Sequence, residues 1–147
     1  MIFVLYTSID IHQLIYHLYE LYLSIFSDVR NAYESDIGHF KPPEGGATLL
    51  DPKMRTSQDF PKWLNAPETK EKLKDKTVMM YCTGGIRCER ATALLNQITD
   101  AEPEFKVNDV VHCSGGIERY LKTFPEGGYW CGKNCKWGAF LLYLCSL

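Results

Sequence analysis

The sequence predicts an α/β fold with a central parallel sheet and helices on both faces. An apolar run at residues 76–82 reads as a buried strand, and a Gly-rich loop then leads into an amphipathic helical pattern at residues 87–98. A second apolar run at residues 109–113 is followed by another glycine turn and a helical pattern at residues 117–124. Strand, loop and helix thus occur twice in succession, which is typical of a βαβ unit.

The size and composition fit one ordinary globular domain. The chain has 147 residues, 46% of them hydrophobic and 23% charged. Its formal net charge of −2 gives no overall basic field of the kind that binds nucleic acid, although a local basic patch stays open.

The rest of the chain carries weaker signals. Apolar positions at helical spacing predict a helix over residues 9–24, and residues 23–26 would serve equally as a short strand leading into Asp28. Residues 38–57 contain a Pro- and Gly-rich stretch and are predicted to be a loop. Short helices are expected over residues 58–65 and 68–73.

The chain contains six cysteines. The apolar opening lacks the basic segment of a secretory signal, and the apolar residues 139–147 are too few to span a bilayer. We therefore predict thiols in a reducing compartment, in the cytoplasm or an organellar matrix, and no membrane partner. The cysteines are Cys82, Cys88, Cys113, Cys131, Cys135 and Cys145.

The loop after the first predicted strand suits a reactive thiolate. Cys82 ends that strand, and Gly84 and Gly85 allow several backbone N–H groups to converge on its sulfur. These groups and the helix dipole should lower the pKa of Cys82 below the free value of about 8.5. Arg87 adds a planar fork for an oxyanion. The plainer alternative is a buried strand cysteine beside a surface arginine.

A second cysteine lies six residues further on. Cys88 falls in the first turn of the predicted helix and could resolve a persulfide or sulfenate on Cys82 by forming a disulfide. A packed helix cysteine is an equal alternative. No histidine stands at a recognisable spacing from Cys82, and His39 is expected to be a turn residue, so the loop dipoles must activate the thiolate largely alone.

Several motifs together resemble the rhodanese domain family. DVRNAYE at residues 28–34, with GHF at 38–40, resembles its first motif. CTGGIRCE at residues 82–89 resembles the active loop of the branch that includes bacterial tRNA uridine hydroxylases and eukaryotic rhodanese-like proteins. SGGIERYL at 114–121 and GGYWCGKN at 127–134 resemble the same branch.

The resemblance implies a sulfurtransferase without cofactor or metal. Cys82 would take sulfane sulfur from a small-molecule donor and pass it to a thiol or protein acceptor, with tRNA as a further partner left open. Arg87 would be catalytic beside it. Three residues are expected to support the structure, with the last two pairing across a turn: Asp28, Arg30 and Glu34. The residues expected to bind the donor are Thr83, Gly84, Gly85 and Ile86.

Both ends of the chain depart from this family pattern. We expect an atypical helical segment at residues 1–27, a rhodanese-like domain at 28–134 and an atypical apolar tail at 135–147, with truncation at both ends. The hydroxylase relatives carry a further N-terminal domain. Sulfur transfer is therefore expected ahead of tRNA uridine hydroxylation or an inactive binding domain.

Two other chemistries stay open as alternatives. Cysteine phosphatases also combine a cysteine, an anion nest and an arginine, but five residues separate their cysteine and arginine, whereas four separate Cys82 from Arg87. The smaller loop suits a single sulfur better than a phosphate. A zinc site could use Cys131 and Cys135, completed by Cys113 or Cys145, yet the pattern is only half of a structural zinc motif.

Overall fold

The computed structural model describes residues 5–6, 24–42, 44–136 and 139–143, and the side chains of residues 24–42 and 44–134. Two sheets and five helices lie in these ranges. The strands are β1 (Leu5–Tyr6), β2 (Ser24–Asp28), β3 (Gly38–Phe40), β4 (Thr48–Leu50), β5 (Thr77–Tyr81), β6 (Asp109–Cys113), β7 (Trp130–Lys136) and β8 (Ala139–Tyr143). The helices are α1 (Ala32–Ser35), α2 (Asp59–Asn65), α3 (Pro67–Leu73), α4 (Ile86–Ala101) and α5 (Gly116–Thr123).

The main sheet is parallel and confirms the predicted fold class. Its strand order is β1-β6-β5-β2-β4, and each pairing is parallel. Asp28 at the end of β2 is in register with Tyr81 at the end of β5, and β6 runs beside β5. The carboxyl ends of the three strands therefore meet at one edge, which is where ligands bind in open parallel sheets.

The two faces of the main sheet have separate cores because successive strand side chains point to opposite sides. Ile25, Val78 and Met80 pack on the face covered by α2, α3 and α4. Phe26 and Met79 pack on the other face, which is covered by α5 and by aromatic residues of the second sheet. Helices thus lie on both faces, as expected. None of the helices among the described residues is long and apolar enough to cross a membrane.

The prediction that residues 38–57 are a loop was wrong in two places. β4 is added to the edge of the main sheet through parallel pairing with β2, and β3 pairs antiparallel with β7 in a three-stranded sheet that ends with β8. Both strands have three residues and depend on partners distant in sequence. The predicted helix over residues 9–24 lies outside the described residues, except that Ser24 begins β2.

Candidate active site

The predicted reactive loop connects β5 to α4 at the carboxyl edge of the sheet. Cys82 follows β5 directly and is only 1% exposed. Gly85 caps α4 with φ of +92°, a left-handed conformation that favours glycine. This turn lets the chain enter the helix immediately beside the Cys82 sulfur.

Several hydrogen bonds converge on the Cys82 sulfur. The Gly85 N–H donates to Sγ at 3.1 Å, and the thiol and backbone N–H of Cys88 also donate to it. The Cys88 thiol is the largest influence; together with the backbone donors and the positive charge of Arg87 it outweighs burial and lowers the pKa of Cys82 to about 6. Cys82 is therefore largely a thiolate at neutral pH.

Two further cysteines lie near Cys82, and both stay protonated at neutral pH. Burial and the hydrogen bond to Cys82 raise the pKa of Cys88 well above its usual range. Burial and the neighbouring Cys82 charge raise the pKa of Cys113, at the end of β6, to about 12. Both cysteines are free. The site thus holds one anionic sulfur among three reduced cysteines.

Arg87 does not present a free fork, as its two terminal nitrogens are already bonded. They donate to the Glu34 carboxylate at 2.6 and 2.9 Å, and one also donates to the Thr83 hydroxyl at 2.9 Å. Burial alone would raise the pKa of Glu34, but the bonds from Arg87, the Asn31 N–H and Thr83 lower it overall. The active loop is thereby tied to the first turn of α1.

Arg30 does meet Glu34 across the turn, but at the Glu34 backbone carbonyl and not at its carboxylate, so the expected side-chain pair is not formed. Arg30 instead forms a buried fork with Asp28, with nitrogen–oxygen distances of 2.9 and 2.6 Å and both side chains 1% exposed. It also donates to the backbone carbonyls of Glu34 and Gly38, and its guanidinium lies 5.1 Å from the centroid of the Trp130 ring. Asp28 and Arg30 therefore join β2 to the second sheet, whereas Glu34 reaches the active loop.

The second glycine turn is hydrogen-bonded to the backbone of the active loop. At the start of α5, the N–H groups of Ile117 and Glu118 donate to the carbonyls of Cys82 at 2.9 Å and Thr83 at 3.0 Å. Gly116 has φ of +61°, and a Cβ there would collide with the Cys82 carbonyl oxygen. The sequence indicated this turn, but not that its glycine is required by contact with the active loop.

The remaining residues expected to bind a donor form the rim of the loop. Gly84 is exposed and has open space where a side chain would lie, and Ile86 is 75% exposed. Thr83 is half-buried between Glu34 and Arg87. The structure therefore brings together all the residues that the sequence assigned to the loop.

The zinc alternative involves Cys135 and Cys145, and the side chain of Cys135 and the whole of Cys145 lie outside the described residues. In the part of the chain that the structure describes, no three His, Cys, Asp or Glu side chains are grouped so that they could hold a metal ion. Cys131 is disulfide-bonded, which differs from the prediction that all six cysteines are thiols. His39 lies in β3 rather than in a turn, and its ring Nδ1 is 3.3 Å from the Ser35 carbonyl oxygen.

Curated relatives share this loop-bearing region. The chain is 42% identical over 111 residues to rhodanese-like domain-containing protein 6 of Arabidopsis thaliana, covering 75% of this chain and 17% of that protein. It is 40% identical over 111 residues to a tRNA uridine(34) hydroxylase of Brucella anthropi, covering 75% of this chain and 32% of the hydroxylase. The chain thus spans at most about a third of these two relatives.

Solved structures support the fold. A homologue of single-domain rhodanese and of the Cdc25 phosphatase catalytic domain, from Saccharomyces cerevisiae, matches with a TM-score of 0.55 at 22% identity, covering 84% of this chain and 86% of that one. A rhodanese-related protein from Thermoplasma volcanium has a TM-score of 0.54 at 18% identity, covering 82% and 93%. The family model for the rhodanese-like domain matches residues 15–123, and the chain belongs to that family.

Proposed function

We propose that this domain is a rhodanese-type sulfurtransferase in which Cys82 carries sulfane sulfur as a persulfide. The observation that supports it most is the Cys82 sulfur itself, which is surrounded by hydrogen-bond donors and has a pKa lowered to about 6. A thiolate, not a thiol, attacks sulfur, so this environment supplies the nucleophile at neutral pH.

The proposed reaction has two displacement steps. The Cys82 thiolate attacks the outer sulfur of thiosulfate, a sulfur–sulfur bond forms to Cys82, the donor's own sulfur–sulfur bond breaks, and sulfite leaves with the electron pair. A nucleophilic acceptor, such as a thiolate, then attacks the outer sulfur of the persulfide and restores the Cys82 thiolate. Both steps conserve charge and need neither oxidant nor cofactor.

The loop residues have distinct proposed roles. Gly84, Gly85 and the backbone around them stabilise the negative charge on sulfur, while the exposed Ile86 and Gly84 border the path of the donor. Arg87 supplies positive charge while Glu34 holds it in place, so it acts through the field and the loop geometry rather than as a free fork. Thr83 links these two groups.

Cys88 has two proposed roles. In the reduced site it donates its S–H to the Cys82 thiolate. As a resolving thiol, it would attack Cys82 after a peroxide has oxidised it to a sulfenic acid, with release of water, or would attack the inner sulfur of the Cys82 persulfide anion, with release of hydrosulfide; both reactions form the Cys82–Cys88 disulfide. The proton comes from the Cys88 thiol in both cases.

Intact mass spectrometry after incubation with thiosulfate tests the sulfur-transfer proposal. The chain should gain one sulfur atom, and the gain should disappear when a thiol is added. Cys82→Ser should abolish it, whereas Cys113→Ser, which removes a neighbouring buried thiol, should retain it. No gain in either the wild type or Cys88→Ser, in which the persulfide cannot be resolved, or a gain that survives in Cys82→Ser, would contradict the assignment.

RNA modification is a second candidate function, favoured by the 40% identity to a protein named tRNA uridine(34) hydroxylase. Expression of the chain in a bacterial strain that lacks its own hydroxylase tests it. Nucleoside mass spectrometry should then find the modified uridine restored by the wild type but not by Cys82→Ser. Absence of the modification with well-folded wild-type protein would exclude this activity for the chain.

The location of the protein in the cytoplasm or an organellar matrix stays a prediction.

A further inference from the structure

A cavity of about 440 Å³ lies between α2 and α4, next to the active loop. This volume is within the range of small-molecule sites in proteins. The residues that line it are Val29, Met54, Ser57, Gln58, Phe60, Pro61, Arg87, Arg90, Ala91 and Leu94. Cys82 is not among them, and Arg87 is the residue that the cavity shares with the active loop.

The cavity has an apolar floor and a polar mouth. Met54 and Phe60 are 2% and 6% exposed, and Phe60 contributes an aromatic ring to the wall. Ser57 and Gln58 are exposed and lie on the lining, so they can offer a hydroxyl and an amide at the opening. An apolar body with a few polar groups at one end would match this lining.

The charge in the cavity is positive and unbalanced. Arg87 lines it, but both of its terminal nitrogens are already hydrogen-bonded to the Glu34 carboxylate. Arg90, three residues further along the same helix and therefore on the same side of it, is exposed. Among the residues whose side chains are described, none forms a hydrogen bond or an ion pair with the guanidinium of Arg90. No acidic side chain is among the residues that line the cavity. The available charge therefore calls for an anion.

We propose that this cavity binds a small organic anion with a planar apolar body, whose body packs against Phe60 and Met54 and whose anionic group lies at Arg90. A guanidinium can bind a carboxylate or sulfonate through two parallel hydrogen bonds, and an aromatic wall suits a flat ring system. This binding does not depend on sulfur transfer by Cys82. Its position places the bound molecule against Arg87, which is shared with the active loop.

Titration calorimetry with 1-naphthalenesulfonate tests the proposal, with the neutral 1-naphthalenemethanol as the comparison ligand. The sulfonate should bind the wild type and Cys82→Ser equally, and should bind more tightly than the alcohol. Arg90→Gln should weaken sulfonate binding about tenfold, because one charge-assisted interaction is lost, and should leave the alcohol unaffected. Binding of the sulfonate should also weaken as salt is added.

Two variants make the test specific to the cavity. Lys62→Gln removes an exposed charge from α2, one of the two helices beside the cavity, at a position outside the lining, and should leave binding unchanged. Leu94→Trp should fill the half-buried end of the cavity and abolish binding of both ligands, with an unchanged circular dichroism spectrum as the check on folding. No binding to the wild type, or equal losses in Arg90→Gln and Lys62→Gln, would overturn the proposal whether or not Cys82 carries sulfur.

Discussion

Removing the thiol of Cys88 should raise the pKa of Cys82. The Cys88 thiol is the largest of the influences that lower this pKa, ahead of the backbone N–H groups and Arg87. A hydrogen bond to a charged group contributes about 1.5–3 kcal/mol, and 1.36 kcal/mol corresponds to one pKa unit. Cys88→Ala should therefore raise the pKa of Cys82 from about 6 by roughly one to two pKa units.

The shift has a measurable effect on reactivity. With a pKa of about 6, roughly nine-tenths of Cys82 is thiolate at pH 7, against about 3% for a thiol with the free value near 8.5. The attack rate falls less steeply than the thiolate fraction, because a more basic thiolate is a better nucleophile. At pH 7 the two effects should roughly cancel, whereas at pH 6 the variant should react more slowly than the wild type and at pH 9 it should react faster.

The pH dependence of alkylation by iodoacetamide provides the assay, with peptide mapping to follow Cys82 alone. Cys88 and Cys113 stay protonated at neutral pH, so they should react far more slowly. Cys88→Ser keeps a hydrogen-bond donor and should keep a midpoint closer to the wild type than Cys88→Ala does, and Cys113→Ser is the control for loss of a buried thiol. A wild-type midpoint near 8.5, or equal midpoints in Cys88→Ser and Cys88→Ala, would refute this account of the site.

The supporting contacts lead to three further predictions, each measured by urea unfolding. Asp28→Ala leaves the Arg30 guanidinium buried without its carboxylate and should lower the free energy of unfolding by about 3–5 kcal/mol; a loss below 1 kcal/mol would mean that water reaches the charge. Gly116→Ala should cost about 1–3 kcal/mol and also slow Cys82 alkylation, because the strained turn touches the Cys82 carbonyl; unchanged alkylation would separate the turn from the site. Glu34→Gln should cost about 1 kcal/mol at pH 7, since its partner arginine is partly exposed. The lowered pKa of Glu34 means that this contribution is present above the ordinary glutamate pKa and is lost as pH falls through the lower folded value, so variant and wild type should converge in acid.

The elements that the sequence predicted well are those specified locally. β5, α4 and β6 each carry their own apolar pattern, and the observed bounds of β6 are the predicted ones. β3 and β4 have three residues each and exist because distant strands supply their hydrogen-bond partners. No periodicity can be read over three residues, so such strands follow from the tertiary structure rather than from local preference.

The candidate site shows the same division between local and distant determinants. The sequence placed Cys82 and its glycines correctly because strand, turn and helix follow one another along the chain. The sequence predicted a pair between Glu34 and Arg30, because residues four apart in sequence can pair across a turn. In the fold, the Glu34 carboxylate instead binds Arg87, which is 53 residues away in sequence. A signal was present: Asp28, two residues before Arg30, offered a second carboxylate and left Glu34 available.

The ionisation of Cys88 limits when it can act as a resolving thiol. The high pKa of Cys88 keeps its thiol protonated while Cys82 is a thiolate. The two sulfurs therefore share one proton in a hydrogen bond, and this bond stabilises the reduced site. Once a peroxide has oxidised Cys82 to a sulfenic acid, the thiolate acceptor is gone, and the Cys88 proton can pass to the departing hydroxide to give water as the disulfide forms. The same S–H group that lowers the pKa of the nucleophile thus becomes available for attack only after that nucleophile has been oxidised. Burial of Cys88 and its position beside Cys82 therefore serve both proposed roles, in sequence and not in competition.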